Sequence, residues 1–88
     1  MSNTRIKLLL NWYELQGETL VDKEELHDLS IDDILKLFGV PFWNDQYHCW
    51  AVESQHVATL QPHVHHHMQP QLYEYFVEAI RVSYQPVA

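Results

Sequence analysis

The chain has 88 residues, a mass of 10.5 kDa and a formal net charge of −7. This length predicts one domain over residues 1–88 with an ordered core at about 6–82, and 47% apolar residues favour a folded chain over a disordered one. The acidic balance argues against direct binding to nucleic acid or anionic membranes, and no apolar run is long enough to cross a bilayer.

The first predicted element is a β-hairpin. Residues 6–15 form an apolar run with β-favouring Ile, Trp and Tyr side chains, which predicts a strand. Gly17 supplies the conformational freedom of a turn. Residues 19–26 either pair back as the second strand, with their carboxylates facing water, or form a loop.

The next predicted element is a helix that begins after Ser30 and ends at Gly39. The Ser30 hydroxyl can cap the free N–H groups of the first turn, and Gly39 can adopt a left-handed C-cap. The apolar residues between them recur at the spacing of one helix face: Ile31, Ile34, Leu35 and Phe38.

The second half of the chain predicts a third strand and two further helices. Residues 47–52 are expected to form a short strand, and Ser54 is expected to cap a helix that reaches Gln61. Residues 63–68 stay open between a strand, a loop and a second helical turn. Pro70 is suited to the first position of a C-terminal helix. The inner face of that helix would carry Leu72, Phe76, Ala79 and Ile80.

This element order predicts an α+β fold. A small antiparallel sheet of about three strands would be covered on one face by two to three helices.

Carboxylates are concentrated between residues 14 and 33, where there are eight of them against one lysine. Such a region would steer a basic partner and speed the encounter, whereas the alternative is an acidic surface that maintains solubility. Aromatic side chains around the turn at 42–45 belong either to the core or, beside carboxylates, to a protein-binding hot spot. The candidate partner-binding residues are Glu18, Asp22, Glu24, Glu25, Asp28, Asp32, Asp33, Phe42, Trp43 and Tyr47.

Histidines dominate residues 63–67, which have the sequence HVHHH. In an extended segment, His63, His65 and His67 project to the same side; in a helix, the first and last pair one turn apart. Both arrangements suit zinc, nickel or copper, and the alternative is a polar loop without a metal. No other cofactor is indicated.

Catalytic motifs are not recognisable. Cys49 and His48 would point to opposite faces of a strand, so the histidine cannot serve as the base of the thiol. The adjacent carboxylate pairs lack the apolar pocket that a general acid requires. These features predict a protein that is not an enzyme. A single cysteine and no recognisable signal peptide predict a cytoplasmic location.

Five segments, WYELQGETLV, LSIDDILKLFG, YHCWAV, SQHVATL and QLYEYFVEA, resemble a family of small uncharacterised bacterial proteins over about residues 6–80. Such proteins are similar in size and charge to immunity proteins that neutralise bacterial toxins. The resemblance implies an acidic hairpin at the start and a Tyr/Phe-rich helix at the end. It carries over no binding residue, and the HVHHH run and the pair Trp43 and Trp50 depart from its pattern.

The sequence therefore predicts a small non-enzymatic inhibitor or adaptor, of immunity type or carried by a phage against host defence. It would cover a basic surface of a partner protein, for example the cleft of a nuclease. The alternatives are a metal-binding protein that uses the histidine cluster and an accessory subunit of a homodimer or larger complex.

Overall fold

Four strands and two short helices make up the part of the chain, residues 4–40 and 49–83, that the computed structural model describes. The elements are β1 (Thr4–Glu14), β2 (Leu20–Glu25), α1 (Ile31–Phe38), β3 (Cys49–Ala51), α2 (Ser54–Leu60) and β4 (Tyr73–Ser83), with a 3-10 turn at Gln61–His63. The strands pair in the order β2-β1-β4-β3, and every pairing is antiparallel. The α+β class is thus confirmed, with four strands in the sheet where about three were expected.

The two longest strands form the centre of the sheet. β1 and β4 pair along their whole length, from Thr4 opposite Ser83 to Glu14 opposite Tyr73. Because side chains alternate between the faces of a strand, every second residue points the same way. The residues buried on one face are Leu8, Leu10 and Trp12 of β1 and Tyr75, Val77 and Ala79 of β4.

Both helices pack on that face. Ile34 of α1 and Leu60 of α2 are fully buried in the same cluster, which the loop residues Val64 and Met68 complete. The opposite face of the sheet, called the open face below, is not covered by either described helix. It carries Leu9, Asn11 and Tyr13 of β1, Phe76, Glu78 and Ile80 of β4, and Cys49 and Ala51 of β3.

The local signals of helix α1 are confirmed in detail. The Ser30 hydroxyl accepts a hydrogen bond from the Asp33 N–H, and the Asp33 carboxylate accepts one from the Ser30 N–H. Gly39 ends the helix with a φ of 70°. In α2 the N-cap is Glu53, one residue before the expected Ser54 cap, and its N–H donates to Nδ1 of the buried His56.

The expected C-terminal helix after Pro70 is wrong, because that segment forms β4. The Gln69 carbonyl instead accepts hydrogen bonds from the N–H groups of Leu72 and Tyr73, which makes a turn into the strand. β4 lies between β1 and β3, and its pairing with both satisfies the backbone groups that a helix would have satisfied internally. Its aromatic and β-branched side chains also favour a central strand.

The remaining expectations fall partly outside the described residues. The hairpin and the strand at Cys49–Ala51 are confirmed, whereas residues 47 and 48 and the turn at 42–45 lie outside. Residues 64–72 form a loop after the 3-10 turn. In the described ranges, neither helix combines the length and the apolar character that crossing a membrane demands.

Candidate functional site

The end of the sheet at which β1 turns into β2 exposes an unusual number of apolar side chains. Leu15 and Leu72 are 51% and 52% exposed, and Leu20 and Val21 are 44% and 43% exposed. Tyr13 pairs with Leu20 and Glu14 pairs with Tyr73, so the pairing register brings these separate segments to one end of the sheet. We call this surface the hairpin end; its apolar members are Leu15, Leu20, Val21 and Leu72.

Four exposed carboxylates lie at the same end of the sheet, with Glu14 and Asp22 on the helix-covered side and Glu74 on the open face. Glu14 and Glu18 flank the turn, Asp22 lies on β2, and Glu74 joins them from β4 through its pairing with Tyr13. Between residues 13 and 23, Lys23 is the only basic residue. The hairpin end therefore combines negative charge with exposed apolar area.

A shallow pocket lies on the open face beside the hairpin end. Its volume is about 310 Å³, and Tyr13, Gly17, Glu18, Cys49, Glu74 and Phe76 line it. The rings of Tyr13 and Phe76 meet edge to face, with centroids 5.7 Å apart and planes at 85°. We call this the aromatic pocket.

The Cys49 thiol in the aromatic pocket is poorly suited to nucleophilic attack. Partial burial and then the nearby Glu78 carboxylate raise the pKa of the thiol. Since the thiolate is the reactive form, a raised pKa disfavours reaction at neutral pH.

Three of the carboxylates predicted to bind a partner are instead engaged within the chain. Glu24 accepts hydrogen bonds from the N–H groups of His65 and His66 at 2.6 and 2.9 Å. Asp33 belongs to the capping box of α1. The Glu25 carboxylate lies 3.5 Å from Lys7 Nζ, although a pair this exposed contributes little to stability.

The predicted acidic surface is accordingly divided along β2. Glu18 and Asp22 belong to the hairpin end, whereas exposed Asp28 and Asp32 lie in the connection to α1 and in its first turn. Leu26 donates its N–H to the Leu8 carbonyl, six residues along β1 from Glu14. At about 3.3 Å per residue, the β2–α1 connection starts about 20 Å along the sheet from the hairpin end.

The carboxylate of Glu24 holds residues 64–72, called the histidine-rich loop below, against the sheet. Its partial burial acts to raise the pKa of this carboxyl, but the hydrogen bonds from His65 and His66, together with the charges of His65 and His27, lower it overall. Gln61 fixes the same loop from the other side. Its Nε2 donates to the His66 carbonyl, and its Oε1 accepts from the Met68 N–H, each at 2.8 Å.

His66 lies inside this loop and packs onto the core. Its ring stacks on Trp12 with centroids 3.9 Å apart and planes at 9°. The Tyr75 hydroxyl accepts from the Gln69 N–H at 2.7 Å and lies 2.8 Å from His66 Nε2, so its own proton can be donated to that nitrogen. Burial lowers the pKa of His66, which favours the neutral imidazole that this hydrogen bond requires.

The other histidines of residues 63–67 do not form a three-ligand group. His63 Nδ1 donates to the His27 carbonyl at 2.6 Å, and His65 and His67 are exposed. Within residues 4–40 and 49–83, no three His, Cys, Asp or Glu side chains are grouped so as to hold a metal ion. The predicted ligands His63, in the 3-10 turn, and His65 and His67, in the loop after it, therefore do not surround one point that a metal ion could occupy.

The predicted aromatic contributors Phe42, Trp43 and Tyr47 lie outside the described residues. Sequence reasoning missed Leu15, Leu72 and Glu74 as members of the site. Leu72 and Glu74 were assigned to a helix, so their pairing with β1 was not visible. A strand prediction for residues 73–83 would have placed Glu74 beside Tyr13 only if the register had also been known.

One family model matches the chain over residues 7–78 and is described as a domain of unknown function, DUF7683. The matched segment includes every member of the hairpin end and of the aromatic pocket. No match was found among curated proteins. The family match confirms the expected relation to uncharacterised proteins and says nothing about toxin immunity.

Proposed function

The chain belongs to the DUF7683 family, and we propose that it is a non-enzymatic protein-binding module whose hairpin end covers a basic surface of a partner protein. In this proposal it acts as an inhibitor by occlusion, as an immunity protein or a phage-borne anti-defence protein would.

The observation that carries the proposal is the gathering of exposed apolar side chains at the hairpin end. Single exposed leucines are ordinary on a protein surface, but a group of them drawn from separate segments marks an interaction site. Leu15, Val21 and Leu72 come from the turn, from β2 and from the segment before β4. Each is at least 43% exposed.

Charge supports a basic partner. The carboxylates Glu14, Glu18, Asp22 and Glu74 lie at the same end of the sheet as the apolar group, and the whole chain has a formal charge of −7. A rim of one sign steers an oppositely charged partner and opposes wrong ones, while the apolar centre supplies the contact area. A basic surface with an apolar centre is the complement of this arrangement.

Similarity in size and charge to immunity proteins supports the inhibitory role. The raised pKa of Cys49 supports the non-enzymatic part, because it keeps the thiol in its unreactive form at neutral pH.

The test is capture of the partner by tagged chain from a lysate of its own source, with elution in high salt and mass spectrometry. A basic protein eluting at a fixed stoichiometry is expected. Leu15→Ser combined with Leu72→Ser should abolish capture, since both side chains lie on turns and their replacement leaves the core intact.

Two double variants, each of which removes two negative charges, show which part of the chain contacts the partner. Glu14→Gln with Asp22→Asn should weaken capture and reduce its salt dependence, whereas Asp28→Asn with Asp32→Asn should leave both unchanged. Asn is suitable at position 28, because Asp28 has a φ of 61° that Asn tolerates. Loss of capture only in the second variant would place the surface at the start of α1 and contradict the proposal.

A further inference from the structure

The lining of the aromatic pocket indicates what kind of group it receives. The described residues that line the pocket include two half-buried aromatic rings, two exposed carboxylates and no basic side chain. A volume of about 310 Å³ is at the lower limit for small-molecule sites and is sufficient for one long side chain. Lys23 lies on the same face opposite Asn11 but is not among the lining residues, so the two carboxylates of the lining outnumber it and favour a cation.

We propose that the aromatic pocket receives an arginine side chain of the partner protein. This inference rests on the proposed function, because the pocket adjoins the hairpin end and shares Glu18 and Glu74 with its carboxylates. It adds the identity of the anchoring residue, which exposed apolar area alone does not define.

The two rings suit a guanidinium group. Tyr13 and Phe76 lie diagonally across the β1–β4 pair, since Tyr13 is opposite Glu74 and Phe76 is opposite Asn11. Their edge-to-face contact leaves ring surface available for a cation to stack on. A planar, weakly hydrated guanidinium stacks on such a surface and loses less hydration than an ammonium group.

The carboxylates then distinguish arginine from other stacking groups. Glu18 and Glu74 supply acceptor oxygens at the rim of the pocket. The guanidinium has five N–H donors in a fork that matches a carboxylate with two parallel hydrogen bonds. Arginine can therefore stack on Phe76 and bind Glu74 at the same time.

An unpartnered acceptor lies beside the pocket. Asn11 is only 8% exposed, its Nδ2 donates to Glu78 Oε1 at 3.2 Å, and its Oδ1 has no hydrogen-bond partner among the described residues. An unsatisfied acceptor at this depth is costly unless a donor reaches it. Asn11 is the cross-strand neighbour of Phe76 on the open face, so it stands next to the proposed guanidinium site.

The test is an NMR titration of the ¹⁵N-labelled chain with N-acetyl-arginine amide. The expected result is saturable shifts of the backbone amides of Tyr13, Gly17, Cys49 and Phe76. N-acetyl-citrulline amide has the same shape without the charge and should bind at least about fivefold more weakly. Equal binding of the two probes would overturn the proposal, as would shifts confined to residues around Asp28 and Asp32.

Variants of the pocket and a matched control complete the test. Glu74→Gln should weaken arginine binding about fivefold, whereas Asp32→Asn, which removes the same charge on α1, should not change it. Phe76→Leu should weaken binding of arginine more than that of N-acetyl-lysine amide, because stacking favours the guanidinium. Tighter binding of free arginine than of the capped probe would indicate a small-molecule site and overturn the assignment to a protein partner.

The two proposals fail in different ways. If the probes do not bind but capture still depends on Leu15 and Leu72, the arginine site is wrong and the protein-binding function stands. If arginine binds at the pocket but Leu15→Ser combined with Leu72→Ser leaves capture unchanged, the pocket is a cation site and the proposed function is wrong.

Discussion

The two glycines of the chain occupy different backbone conformations, and substitution by alanine should separate them. Gly39 has a φ of 70°, and no described atom lies within 4 Å of the place where a Cβ would stand, so Gly39→Ala meets strain of the backbone only. We expect it to lower the free energy of unfolding by about 1 kcal/mol. Gly17→Ala should lower the free energy of unfolding by less, because the added Cβ would lie 3.3 Å from Oε2 of Glu14, which is the flexible end of a side chain and can move. Urea denaturation of both variants measures the difference, and equal losses would contradict this account.

His66 should make stability depend on pH. Burial lowers its pKa, and the charges of Glu24 and Asp22 offset burial only in part. The unfolded chain then takes up this proton more readily than the folded one, so folding is favoured above the ordinary histidine pKa of about 6.5. The stabilisation should be lost as the pH falls from there through the lowered pKa of the folded state.

Urea denaturation of the chain and its variants between pH 7.5 and 5.5 tests this. The free energy of unfolding of the parent chain should fall on acidification, and His66→Gln should make this fall smaller. His65→Gln is the matched control, because it removes an exposed imidazole from the same loop, keeps the backbone N–H that binds Glu24, and is not among the groups that shift the pKa of His66. If the free energy of unfolding falls as much in His66→Gln as in the parent chain, groups other than His66 cause the pH dependence.

Between the 3-10 turn and β4, the histidine-rich loop depends on hydrogen bonds from two strands. Tyr75→Phe removes the partner of the Gln69 N–H and of His66 Nε2 while keeping the buried ring. We expect a loss of about 1–2 kcal/mol and faster hydrogen exchange of the Gln69 amide. Tyr73→Phe is the control, since Tyr73 is half-buried in the same strand and contacts His66 and Tyr75 through its ring. Similar losses in both variants would contradict a specific role for the Tyr75 hydroxyl.

Local signals predicted some elements and failed for others. Helix α1 was predictable because its cap, its apolar stripe and its terminating glycine all lie within ten residues. β4 was not predictable, because Phe76 and Ile80 are apolar residues on the open face. They interrupt the alternation of apolar and polar residues that would indicate a strand. The same residues also fit one face of a helix. Only pairing with β1, about 60 to 80 residues earlier in the sequence, decides between the two.

The candidate site was predictable only where it does not depend on contacts between distant parts of the sequence. Glu18 and Asp22 were identified from charge alone, because an acidic hairpin exposes such residues in almost any packing. The surroundings of Glu24 could not be predicted, since its hydrogen bonds come from His65 and His66, about forty residues away in the sequence. Phe76, which made the strand hard to predict, also lines the aromatic pocket. An apolar residue on the open face therefore makes the strand harder to predict, and it also marks the candidate site.

At the scale of the whole molecule, the sheet has one face covered by helices and one that neither described helix covers. Its hairpin end presents apolar and acidic side chains together, and these two kinds of residue should act on different rate constants of binding. Charges outside the centre of an interface mainly set the association rate, through steering, whereas buried apolar contacts mainly set the dissociation rate.

Surface plasmon resonance with the captured partner separates these contributions. Glu14→Gln with Asp22→Asn should slow association several-fold at 50 mM salt and have little effect at 500 mM, where charges are screened beyond about 4 Å. Leu15→Ser with Leu72→Ser should accelerate dissociation at both salt concentrations and leave association nearly unchanged. If the charge variant instead accelerates dissociation equally at both concentrations, its carboxylates are buried contacts of the complex. Steering by the hairpin end would then be wrong, because screened charges cannot produce an effect that salt does not alter.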